Sequence, residues 1–269
     1  MSVSVHYSKL KAAMRFIEGK GYQVAYVALR GSQNYRLDTE TSDFDYVAVV
    51  IPRFTDLVAK CWIQTKEYEY DGGHIDMYDI REYFACIWKM NPSILETLVT
   101  PHHIDMTPNK MFCAAYVHVV QAIPYRSGDL ALAIKGTYQR YLKLYGRGAG
   151  DRCGKSVAHM IRLVAYMENL CENKIFDPDF SGRKDAYKTA LLYKRASDDG
   201  VFSAKLTDYV DWLTNRINDL CNKEVLICNL NSEKDKADEH RQKVSDMVSA
   251  LIKEHIKKEM RDEDEGNQA

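Results

Sequence analysis

Two continuous apolar runs of strand length, Val24-Ala25-Tyr26-Val27-Ala28-Leu29 and Tyr46-Val47-Ala48-Val49-Val50-Ile51, lie close together near the start of the chain. The connection between them holds Gly31-Ser32-Gln33-Asn34-Tyr35 and then Ser42-Asp43-Phe44-Asp45. A glycine-serine turn therefore leaves the first run, and two carboxylates one residue apart lead into the second. Side chains at i and i+2 of a strand share a face, so Asp43 and Asp45 are expected to project together. Adjacent carboxylates repel unless something positive sits between them, and the usual neutraliser is a divalent cation engaged in phosphate chemistry. The plainer alternative is that both aspartates only border a turn at Thr41-Ser42-Asp43.

The rest of the first hundred residues supports a small sheet. Residues 6–20 carry Leu10, Ala13, Met14 and Ile17 at helical spacing, with Gly21 as a stop. Residues 61–70 suggest a third strand, Asp71-Gly72-Gly73 a hairpin turn, and His74-Ile75-Asp76-Met77-Tyr78 a fourth strand. In that strand Ile75 and Met77 take one face and leave Asp76 on the other, where it can join Asp43 and Asp45. Asp79 has the opposite parity and sits at the strand end, a helix N-cap position. Short helices are expected at 80–89 and 93–99.

Beyond about residue 106 the pattern is helical: 107–122, 129–146, 153–173, 183–197, 203–224 and 233–260. The fold class expected is α+β. A small mixed sheet occupies 1–105, a helical domain completing the cleft occupies 106–232, and an amphipathic helix with an acidic tail occupies 233–269. The apolar fraction is 46% and the formal net charge −1, enough for a full core and too balanced for a surface wholly devoted to nucleic acid. Seven cysteines without a CxxC pair suggest reduced thiols rather than a disulfide framework or zinc site, and His102-His103 stands alone in an expected loop. No basic-then-apolar leader is seen, nor any run near the roughly 18 apolar residues of a membrane span. The expectation is a soluble cytoplasmic protein with no membrane partner.

Gly31 removes a Cβ that would hold phosphate away from the backbone, and Ser32 offers an amide and a hydroxyl. Gln33 to Tyr35 are expected to begin a short helix whose N-terminus favours anions. These residues, with Asp43/Asp45 on one strand and Asp76 on a later one, resemble the nucleotidyltransferase superfamily of the DNA polymerase β type. The wording GSQNYRLDTETSDFDYVAVVIP is most similar to a branch that accompanies RNA-repair ligases and recurs in phage genomes. That likeness extends to Asn91-Pro92-Ser93-Ile94-Leu95-Glu96-Thr97-Leu98 and to Lys155-Ser156-Val157-Ala158-His159-Met160-Ile161-Arg162, while Arg36 stands where the branch commonly has glycine. The resemblance implies Mg²⁺ (or Mn²⁺) held by Asp43, Asp45 and Asp76, and an NTP as substrate. Asp76 would help ready an acceptor hydroxyl that attacks the α-phosphorus. The acceptor implied is RNA, a tRNA end or a repair intermediate. A small molecule or protein side chain, or a silent nucleotide sensor, stands as the alternative.

From Lys135 to Lys155 the chain carries Lys135, Arg140, Lys143, Arg147, Arg152 and Lys155 against Asp151 alone, interleaved with Tyr138, Tyr141 and Tyr145. Lys155, His159 and Arg162 share a helical face. This stretch suits a cleft wall for triphosphate, base or RNA backbone. Gly154-Lys155-Ser156 imitates a P-loop, but Ala149 replaces its first glycine and a helix, not a strand, precedes it. Glu96 is equally well read as a solvated glutamate or a site residue.

Overall fold

The computed structural model describes residues 3–40, 42–146, 152–198, 206–230 and 233–266. Thr41, Arg147, Asp151, the P-loop-like residues 149 and 150, the start of the helix expected at 203 and the last three residues of the tail lie outside them. In chain order the elements are α1 (Val3–Glu18), β1 (Gln23–Arg30), β2 (Asp45–Ile51), α2 (Phe54–Val58), β3 (Lys66–Tyr70), β4 (Gly73–Asp79), α3 (Ile80–Trp88), α4 (Pro92–Val99) and β5 (His103–Asp105). Then follow α5 (Met111–Ala122), α6 (Ser127–Gly146), α7 (Arg152–Asn173), α8 (Lys184–Asp198), α9 (Thr207–Leu230) and α10 (Lys234–Gly266). Among the described residues no helix is long and apolar enough to cross a membrane.

The strands form one mixed sheet in the order β3-β4-β2-β1-β5, with β2 and β4 parallel and the other pairs antiparallel. This is the α+β arrangement expected, a small mixed sheet followed by helices. Asp71 and Gly72 both take positive φ (49° and 81°), the two-residue hairpin geometry that an Asp-Gly pair favours. β3 is the charged edge, and its Lys66, Glu67 and Glu69 discourage pairing with a further strand.

Strand alternation sorts the sheet into two faces. Val27, Leu29, Tyr46, Ala48, Val50, Ile75 and Met77 pack beneath Leu10, Ala13 and Ile17 of α1. Tyr26, Ala28, Val47, Val49 and Ile51 face the other way, into a larger core shared with α3 to α10. Asp45 and Asp76 have the parity of that second face, so the sheet delivers them to the side the helical body covers.

Three local expectations differ. The strand expected at 61–70 begins only at Lys66, because Cys61 and Ile63 bond instead to Arg81 and Asp79. β5 forms where the sequence suggests a loop; three residues are too few to show periodicity, and its pairing to Tyr26–Ala28 is entirely tertiary. α2 was not anticipated, being a single short turn capped by Arg53 and Asp56.

Candidate active site

β1 and β2 run antiparallel with Arg30 opposite Asp45, and β2 runs parallel to β4 with Val47 opposite Asp76. Arg30 and Asp45 therefore stand side by side at the sheet end from which the Gly31–Phe44 connection springs, and Asp76 shares their face one strand over and two residues further in. Arg30 forms an ion pair with Asp76. Asp45 accepts from the His74 amide at 3.3 Å. β2 begins at Asp45, so Asp43 lies just outside the strand, exposed, and reaches the site from the connection rather than from strand alternation.

The connection folds against this corner. Gly31 has φ +78°, and a Cβ there would sit 3.1 Å from Asp45 Oδ2, so only glycine leaves the carboxylate its space. Gly31–Gln33 form one 3₁₀ turn, too short to present the helix N-terminus expected at Gln33 to Tyr35. Asn34 fastens the turn, donating from Nδ2 to Leu29 O at 2.7 Å and accepting from Thr100 Oγ1 at 2.8 Å. Arg36 adopts φ +56°, the left-handed conformation that glycine takes without penalty. Its carbonyl accepts from Tyr187 and its guanidinium pairs with Asp179 at 3.0 Å.

Two small cavities flank Asp45. The first, about 170 Å³, places Asp43 and Asp45 with Gly31, Ser32 and Tyr35 opposite Lys155 and His159 of α7 and Lys194 of α8. Lys194 Nζ donates to Leu37 O at 2.6 Å and Ser42 Oγ at 3.0 Å, which ties α8 to both arms of the connection. The second, about 260 Å³, is lined by Arg30, Asp45, Asp76, Glu96, His159 and Arg162 among others. Of the residues expected at the site, Gln33 is the one whose side chain is turned elsewhere, into a cavity behind the connection.

Arg162 and Glu96 are each 3% exposed and bonded at 3.0 Å, Nη1 to Oε2. The guanidinium also lies 3.9 Å from the centre of the Tyr35 ring. Burial raises the Glu96 carboxyl above its usual range, against the opposing pull of Arg162, Arg30 and the Gly31 amide. Arg162 is thus spent inside the wall, holding Tyr35 and Glu96 behind the Gly31 turn. His159 stacks on Tyr141 at 4.4 Å. Burial, and then the cations Arg162, Lys194 and Lys155, push its pKa well below the ordinary histidine value, so it is neutral at pH 7, with Nδ1 unpaired. Asp79, by contrast, caps α3 and pairs with Arg81, away from the corner.

Asp43 and Asp45 supply two oxygen donors beside a cradle that a Cβ would fill, a donor set suited to Mg²⁺ or Mn²⁺. Among the described residues no three His, Cys, Asp or Glu side chains stand close enough to hold an ion together. Asp76, expected as the third, answers to Arg30 instead. Sequence reasoning missed Arg30 and Lys194. Arg30 carried a usable signal, since it directly precedes Gly31 and shares the parity of Ala28. Lys194 carried none, being one of several lysines on an amphipathic helix.

No family model matches the chain, and no curated protein matches it. A crystal structure of a nucleotidyltransferase-like protein from Exiguobacterium sibiricum 255-15 aligns over 91% of this chain and 91% of its own, with 12% identity and a TM-score of 0.34. A likeness that weak decides neither fold nor function.

Proposed function

We propose that the chain is a metal-dependent nucleotidyltransferase that moves a nucleoside monophosphate from an NTP to a hydroxyl acceptor on RNA. The observation that carries this reading is the first cavity, where Asp43 and Asp45 face Lys155 and Lys194 across a glycine that keeps the backbone open. The acceptor oxygen forms a bond to the α-phosphorus, the bond to the bridging oxygen of the β-phosphate breaks, and pyrophosphate leaves.

A divalent cation held by Asp43 and Asp45 would neutralise the triphosphate and stabilise charge developing in the transition state. The chain's own groups do the rest. Lys155 and Lys194 hold phosphate oxygens. Ser32 offers its hydroxyl at the turn, and neutral His159 can accept or donate one hydrogen bond without adding charge. Arg162 keeps Tyr35 in place and is a positioning residue. The acceptor class rests on α6, whose Lys135, Arg140 and Lys143 lie along the helix that carries Tyr141 to His159.

Incubating the protein with each labelled NTP, Mg²⁺ and total RNA tests the reading. Label should enter RNA with the native chain and not with Asp45→Asn, whose fold should be unchanged. Full incorporation by that variant would end the proposal. RNA binding should also weaken steeply with salt, whereas transfer to a small molecule should not.

One observation favours a second reading, a silent nucleotide-binding module. Asp76, the carboxylate the resemblance assigns to the acceptor, is already neutralised by Arg30. Calorimetric NTP binding without pyrophosphate release against a broad acceptor panel would select it.

A further inference from the structure

A phosphoryl-transfer centre that works with two divalent ions needs ligands converging on two positions about 3.5–4 Å apart. The corner beside Gly31 has carboxylates enough for this, since Asp43, Asp45, Asp76 and Glu96 line its two cavities. They do not converge. Among the described residues no three ligand-type side chains stand close enough to hold an ion together. Two of the four carboxylates answer to arginines, Glu96 to Arg162 and Asp76 to Arg30. Asp43 and Asp45 are the two that no arginine engages among the described residues, which is enough for one ion.

Arg30 is built into this corner by the sheet. It ends β1, where the register sets it opposite Asp45, and its side chain reaches over β2 to Asp76 on β4. The Asp76 side chain is 14% exposed, so its charge depends on that partner. Burial raises the pKa values of Glu96 and Tyr35 on the same cavity wall, and Arg30 is among the cations that oppose the rise in both. Its charge therefore serves more than one neighbour. Turning the guanidinium away would strip Asp76 of its counter-charge and leave buried Glu96 to Arg162 alone. Leaving it in place sets a permanent cation where an ion on Asp76 would have to sit, and like charges at such range repel.

We propose that this centre takes a single divalent cation, on Asp43 and Asp45, and that the guanidinium of Arg30 is the fixed positive charge beside Asp76 that excludes a second. The inference rests on the metal-dependent reading above and specifies how many ions that reading requires. A guanidinium suits the place, because it stays charged at any working pH and its fork of N–H donors can hold a carboxylate and a phosphate oxygen at once. Arg30 lines the second cavity together with Asp45, so it adds positive charge next to the carboxylate that also lines the first. On this account the Arg30–Asp76 pair is part of a working centre and not the mark of a silent one.

The test is equilibrium dialysis of the full chain against excess Mn²⁺ and, in turn, the α,β-methylene analogues of ATP, GTP, CTP and UTP, counting the ions retained per chain. With at least one analogue the count should saturate at one. Arg30→Met, which frees Asp76 for an ion, should raise it to two, and Arg30→Lys, which keeps the charge, should leave it at one. Where Arg30→Met loses the native circular dichroism, Arg30→Gln, neutral and still able to hydrogen-bond Asp76, replaces it with the same expectation. Two ions on the native chain or on Arg30→Lys, or a count still at one in the folded neutral variant, would overturn the proposal and leave nucleotidyl transfer standing. No retained ion with any analogue would overturn both. Counts of one and two as expected, beside a failed labelled-RNA assay, would overturn transfer to RNA and leave the single-ion centre standing.

Discussion

Arg162→Met removes the cation from a buried pair and leaves Glu96, 3% exposed, with its carboxylate facing Tyr35 and the more distant Arg30. Stranding one member of such a pair costs roughly 3–5 kcal/mol. Lost contact between the guanidinium and the Tyr35 ring, 3.9 Å away, adds about 1–2 kcal/mol, partly regained by methionine packing on the ring. With about 4–6 kcal/mol lost in all, the Tm of a chain of this size should fall by roughly 8–24 °C, at about 2–4 °C per kcal/mol.

The loss should depend on pH. Burial already raises the Glu96 pKa in the folded state, and removing Arg162 raises it further. A group whose folded pKa lies above its unfolded value contributes stability below the unfolded pKa and loses it as pH rises through the folded one. The variant should therefore be less impaired near pH 5 than near pH 8. Adding Glu96→Gln should recover most of the loss and flatten the pH dependence. Urea unfolding at both pH values, read as midpoint and slope, measures all of this. A single-variant cost under about 1 kcal/mol at pH 8, or a double variant no better than the single, would refute the idea of a stranded carboxylate.

Gly73→Ala should be severe: its Cβ would lie 2.2 Å from the Phe44 carbonyl oxygen, backbone that cannot swing aside, so urea titration should show about 3 kcal/mol or more lost. Gly31→Ala combines φ +78° with a 3.1 Å approach to Asp45 Oδ2; about 1–2 kcal/mol of stability should go, with nucleotide incorporation falling at least tenfold. Arg36→Gly should stabilise by about 0.5–1 kcal/mol, because glycine relieves φ +56° at the expense of one half-exposed ion pair, and differential scanning calorimetry should show a raised Tm.

Much of the fold was legible because it rests on short-range physics. The alternation of Ile75 and Met77 against Asp76 fixed which face each would take, and Asp71-Gly72 carried its hairpin in its own φ preferences. Gly31 was legible for the same reason, since φ +78° beside a carboxylate admits no other residue easily. The place of Gln33 was not legible, because the stretch expected to begin a helix closes after one 3₁₀ turn and leaves its side chain behind the connection. β5 escaped because its pairing partner, β1, lies about eighty residues upstream and three residues leave no pattern.

The sequence by itself determined the kinds of residue available: a glycine turn, two aspartates entering a strand, a third on a later strand, and helices bearing lysine, histidine and arginine. Local periodicity and backbone sterics are properties of adjacent residues, so a string of letters contains them. Only the tertiary structure decided which charge meets which. Sheet register put Arg30 within reach of Asp76, helix packing sealed Arg162 against Glu96, and α8 brought Lys194 to Ser42. Pairings of that kind depend on distances between elements far apart in the chain, and no neighbouring residue encodes them.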